Sequence, residues 1–101
     1  MARNSGTKTD GDSFDKDTIE AVWNKGTPEQ AYPSFRKDKC GASMHRDNYG
    51  KTEKWGWGID HIIPVSKGGS DALPNLQPLQ WENNRAKGDS DPGQQKCAVT
   101  S

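Results

Sequence analysis

Apolar residues are scarce in this sequence, at 29% of 101 positions. A chain so short and so polar buries only a modest share of its surface. It is bounded to one small domain and gains from an additional tie such as a bound ion. Long apolar runs are absent as well. The longest, Ile62-Ile63, is interrupted by Pro64 before Val65, far short of a membrane span or a signal-peptide core, so a soluble protein with no membrane partner is expected. A charge excess is also missing, because 14 Lys/Arg balance 14 Asp/Glu. Only two cysteines occur, Cys40 and Cys97, and neither belongs to a Cys-x-x-Cys pair. That argues against a disulfide framework and suits a reducing, cytoplasmic compartment, while a single bridge between the two stays open. Internal repeats are lacking.

What charge there is has a distribution. Between Arg36 and Lys87 lie nine Lys/Arg and six Asp/Glu, which leaves five and eight for the two flanks. A mildly basic centre between acidic ends is compatible with phosphate contact. Residues 1–12 are polar and read as a disordered lead-in, residues 13–89 as one domain with its core at about 54–88, and residues 90–101 as a polar tail that frays. Within the domain, Asp15 can cap a helix on which Ile19, Val22 and Trp23 share a face, with Phe14 and Ile19 as a hydrophobic staple and Gly26 as the stop. Thr27-Pro28-Glu29-Gln30 resembles a second, brief helix start, ended by Pro33. Residues 34–53 read mainly as loop.

Trp55, Trp57 and Ile59 then alternate with small residues, the period of a half-buried strand ending near Pro64. Lys67 to Asp71 is a turn signal, Leu76 to Gln80 a second short strand with Pro78 restricting it to an edge, and Trp81 to Lys87 a helix stopped by Gly88. Two strands cannot make a stable sheet alone, so the N-terminal helix must supply core. The expectation is an α+β fold: a two-stranded antiparallel hairpin with a long loop, then a helix, preceded by one or two helices.

The residues that can carry chemistry sit at the ends of these elements. Phosphodiester hydrolysis needs a group that takes a proton from water and a positive charge that offsets the charge growing on phosphorus and on the leaving oxygen. Asp60-His61 supplies an oxygen ligand and a base side by side. Neighbours on a regular strand point to opposite faces, so the two serve one phosphate only if the strand bends or the phosphate lies between them. Asn83 and Asn84 are poor helix formers on a short helix, which suggests that one of them is kept for a site.

From Gly58 to Lys87 the sequence resembles the HNH motif of the ββα-metal nuclease superfamily, with Asp60-His61 as its opening pair, Asn75 as its central Asn and Asn84 as its last member. The ending is similar to that of the HNH domain of RNA-guided CRISPR nucleases. A wider run from Phe35 to Asp89 is similar to stand-alone bacterial and phage HNH domains, through Arg36-Lys37-Asp38, Cys40-Gly41, Tyr49-Gly50, Gly56-Trp57, Gly68-Gly69 and Asn75-Leu76-Gln77. The resemblance implies a ββα-metal fold and a metal-dependent endonuclease acting on DNA, by nicking or double-strand cleavage, with 5′-phosphate and 3′-hydroxyl products. It implies Asp60 and Asn84 as ligands of one divalent ion, His61 as general base, and Asn75 as a brace of the loop and the His61 backbone. The DNA is expected to be double-stranded and read with little intrinsic specificity, so that a protein partner can supply it.

Two departures from the family pattern matter. Asn84 stands where His is commonest, and its amide oxygen is a harder ligand, which favours Mg²⁺ or Mn²⁺. Many relatives carry two Cys-x-x-Cys pairs around a structural zinc. Here Ser43, Gln80 and Asn83 stand in three of those places, so no structural zinc is expected and Trp55, Trp57 and Trp81 are expected to pack in its stead. Those tryptophans read as core rather than as base-stacking platforms, and His45 as a surface residue. Lys67, Arg85 and Lys87 are candidates for phosphate contacts, with solvated helix or loop charges as the alternative. The rivals to a nuclease are a non-catalytic nucleic-acid-binding module of the same fold and a purely structural metal-binding domain.

Overall fold

The computed structural model describes residues 6–101. It opens with turns around Lys8 and Gly11 and continues to a helix, α1 (Lys16–Trp23). Asp15 caps α1 by accepting from the Thr18 N–H at 2.7 Å, a bond that holds its carboxyl below the usual range. After Gly26 the chain does not enter a second helix. Thr27–Pro28 forms β1, which pairs antiparallel with β2 (Phe35–Lys37), and β2 pairs with β3 (Ser43–His45). The helix-start pattern at Thr27 is overruled because Thr27 and Pro28 are laid against Lys37 and Arg36. Proline is tolerated there because the strand is an edge. The same pairing turns part of the expected 34–53 loop into strand. Three-residue strands are too short to show a period.

The second unit is β4 (Trp57–His61), β5 (Leu76–Gln80) and α2 (Trp81–Lys87). β4 and β5 pair antiparallel from Trp57 opposite Gln80 to His61 opposite Leu76, which sets Asp60 across from Gln77. The Gln80 side chain accepts from the backbone N–H groups of Glu82 and Asn83, so the strand turns directly into the capped helix. This is the expected ββα arrangement in an α+β fold. Trp55 departs from expectation. The alternation extends through it, but its backbone has φ 67° and the strand begins only at Trp57. Its ring is partly exposed and packs edge-on against Phe35, outside the main core.

That core joins the two units. Val22 and Trp23 from α1, Phe14 before it, Met44 from β3 and Trp57, Ile59 and Leu76 from the ribbon form one buried cluster, with the Trp23 and Trp57 rings 5.0 Å apart. Each such side chain contributes about 1.5–3 kcal/mol on burial, and the two-stranded ribbon has its helix partner.

Around Asp38 stands a hydrogen-bonded node. The buried Asp38 carboxylate accepts from the N–H groups of Cys40, Ala42 and Gln80 and from Asn83 Nδ2, all at 2.9–3.0 Å. Asn83 in turn exchanges two bonds with the Val99 backbone, each 2.8 Å. Cys40 and Cys97 form a disulfide. This is the single bridge that the sequence left open. Within residues 90–101, Cys97 and Val99 are both fastened to the domain. Among the described residues no helix is long and apolar enough to cross a membrane.

Candidate active site

The end of the ribbon where the long loop joins β4 to β5 carries the residues singled out by their chemistry. Asp60 and His61 are the last two residues of β4 and are both buried, at 7% and 3% exposure. They line a cavity of about 220 Å³ together with Asn84 from α2 and Asp89 just beyond it. Neighbours that alternate along a strand therefore flank one hollow, with the helix amide as a further wall.

Each group is held. Asp60 Oδ2 accepts from Gln77 Nε2 at 2.9 Å and lies 3.3 Å from Lys87 Nζ. Burial pushes the Asp60 carboxyl up, and these two partners offset only part of that shift. Lys87 Nζ also donates to the His61 carbonyl at 3.0 Å, so one ammonium binds both residues of the pair to the helix that carries Asn84. His61 Nε2–H donates to Asp71 Oδ1 at 2.8 Å. Asp71 is itself held from the N-terminal side, by the Thr9 N–H at 3.0 Å and the Thr9 hydroxyl at 2.9 Å. Desolvation raises the Asp71 carboxyl, but the bonds from His61 and Thr9 outweigh it and leave the group below its usual range. With Nε2–H committed to Asp71, the acceptor left on the neutral ring is Nδ1.

Asn75 closes the long loop between the strands. Its Oδ1 accepts from the Ile63 N–H at 2.8 Å, and its Nδ2 donates to the carbonyls of Ile63 and Ser70 at 3.2 and 2.9 Å. Its own carbonyl accepts from the Ile62 N–H at 2.7 Å, next to His61. Gly69 is required by this packing, because a Cβ there would lie 1.7 Å from the Ile63 carbonyl oxygen.

The three candidates for phosphate contact part company. Lys87 is 2% exposed and bonded inward, so it presents no charge to a ligand at the surface. Lys67 is exposed but paired with Asp91 at 2.9 Å. Arg85 is exposed, with its guanidinium over the Trp81 ring at 4.8 Å.

Four residues of the site escape a reading of the sequence. Asp71 and Thr9 look like turn and lead-in residues. Gln77 is found only once the strand register sets it opposite Asp60, and Asp89 only once the helix end folds back to the cavity.

Asp60 and Asn84 fit a hard divalent cation. A buried carboxylate and an amide oxygen on the same cavity are oxygen donors of the kind a hard divalent cation takes. Among the described residues no cluster of three or more His, Cys, Asp or Glu side chains is placed to hold a metal.

The ββα unit thus gathers a carboxylate, an imidazole and a helix amide around one cavity at its loop end. The HNH endonuclease family model matches residues 39–90, just over half of the chain. The chain belongs to that family, a family of nucleases. No curated protein and no solved structure matches it.

Proposed function

We propose that this protein is a metal-dependent endonuclease that hydrolyses phosphodiester bonds in double-stranded DNA. The observation that carries the reading is the convergence of Asp60, His61 and Asn84 on one cavity, with His61 fixed through Nε2 and its Nδ1 the remaining acceptor. Asp60 and Asn84 hold the ion, which when bound offsets the negative charge on the scissile phosphate and the leaving oxygen. His61 Nδ1 takes a proton from a water whose oxygen bonds to phosphorus as the bond to the 3′-oxygen breaks. One end leaves as a 5′-phosphate and the other as a 3′-hydroxyl, protonated from solvent. Asp71 keeps the ring in its tautomer and plane, Asn75 keeps the loop after His61 closed, and Lys87 ties the Asp60-His61 segment to α2. DNA is chosen over RNA by likeness to the family.

The test is cleavage of supercoiled plasmid with Mg²⁺ and with Mn²⁺, alongside EDTA and His61→Ala controls. Nicked or linear product that requires both the ion and His61 is the expected result. Cleavage retained by His61→Ala overturns the base assignment. No product with either ion, from protein shown to be folded, leaves a binding module of the same fold.

A further inference from the structure

The active-site cavity adjoins a larger one of about 390 Å³, and Gly6 and Asn84 line both. A hollow of that size takes a nucleotide-sized unit. Charge separates between the two. Among the described residues, Asp60 and Asp89 but no Lys or Arg line the smaller, whereas Lys51 and Arg85 but no Asp or Glu line the larger. One lobe thus suits a cation and its neighbour an anion.

The cations of the larger lobe are available. Arg85 is exposed, and its guanidinium carbon sits 4.8 Å from the Trp81 ring centroid, a cation–π contact that leaves its N–H groups able to bind a phosphate. Lys51 is paired with Glu53 at 3.8 Å, with more than half of each side chain exposed. A phosphate can displace so weak a pair. Trp57, which also lines this lobe, is buried, and its indole N–H has no partner among the described residues. A buried donor without an acceptor is uncommon in a finished fold and points to a missing ligand or water.

We infer that this second lobe seats the nucleotide beside the scissile phosphate, with Lys51 and Arg85 gripping its backbone phosphate. The inference rests on the nuclease reading of the adjoining cavity, but its test needs no turnover. The affinity of the full chain for a fluorescently labelled DNA duplex is measured by anisotropy in EDTA, across a series of salt concentrations. Neutralising a phosphate contact lowers the slope of log K against log salt by about 0.9. Lys51→Ala and Arg85→Ala are each expected to lose that increment, and the double variant about 1.8. Arg85→Lys keeps the slope and loses affinity, because the charge stays while the forked guanidinium donors go. Lys16→Ala, on the exposed start of α1, serves as a control and binds as the wild type does. A folded double variant with wild-type slope and affinity overturns the inference, and so does a wild-type chain that does not bind the duplex. Binding that depends on Lys51 and Arg85, without cleavage under Mg²⁺ or Mn²⁺, leaves the seat standing and removes the catalytic reading instead.

Discussion

The carboxylate of Asp71 stands between an N-terminal turn and a buried imidazole, and it gives the site a partner that the sequence motif does not contain. Asp71→Asn still fills the space but no longer favours the Nε2–H tautomer of His61. On the nuclease reading, kcat should fall on the order of tenfold to a hundredfold, the scale of partners that orient functional imidazoles. KM should change little, and Asp71→Glu should recover part of the loss. An unchanged kcat in Asp71→Asn would show that the ring is set by packing alone, for instance by Phe14, whose ring lies 5.9 Å away. The same residue has a pH signature. Its carboxyl lies below the usual range in the fold, so its contribution to stability is complete above the unfolded value and is lost as pH falls through the folded one. Acid unfolding followed by circular dichroism should therefore be steeper below about pH 4 in the wild type than in Asp71→Asn. Coincident acid limbs would count against the bond from Thr9 and His61.

At the scale of elements, the ribbon and α2 are coupled by a single buried lysine. Lys87 bonds the His61 carbonyl and faces Asp60, and it sits one turn after Asn84 on the same helix. Lys87→Met keeps the volume but strands a buried carboxylate, which should cost about 3–5 kcal/mol in urea denaturation with EDTA present. Mg²⁺ should restore part of it if Asp60 is a metal ligand. A loss below about 1 kcal/mol, the worth of an exposed pair, would show that Asp60 does not depend on this cation. Such a role is invisible in sequence, where a lysine in the last helical turn reads as a solvated charge. The elements that were legible are those with a period or a cap: α1 through Asp15, β4 through Trp57 and Ile59, and α2 through its Gly88 stop. β1 to β3 were not, because strands of two or three residues carry no pattern and are fixed only by one another. Trp55 shows the opposite error, an alternation that continues past the point where the backbone leaves the sheet. For the site, it was the resemblance to the HNH motif that picked out Asp60, His61 and Asn84, residues that share a cavity. Asp71, Gln77 and Asp89 join it only through loop closure and register, which no linear spacing encodes.

For the molecule as a whole, closure depends on the Cys40–Cys97 bridge and the Asp38–Asn83 node beneath it. A link across a sequence separation of 57 residues removes about 4 kcal/mol of unfolded-state freedom in the loop-entropy account. In a chain this small each kcal/mol moves Tm by about 4–8 °C. Reduction with dithiothreitol should lower Tm by well over 5 °C on that scale. Equal melting of oxidised and reduced protein, or two titratable thiols in the native protein without reductant, would refute the bridge.

The family match begins at residue 39, downstream of Thr9, Phe14, Val22 and Trp23, and ends at residue 90, short of Cys97 and Val99. Yet Thr9 supports the partner of His61, Trp23 packs on Trp57, and Val99 fastens the helix residue beside Asn84. The recognisable motif is therefore not a portable cassette. Moved into another protein without these flanks, it would carry the chemical groups but leave behind what keeps them aligned.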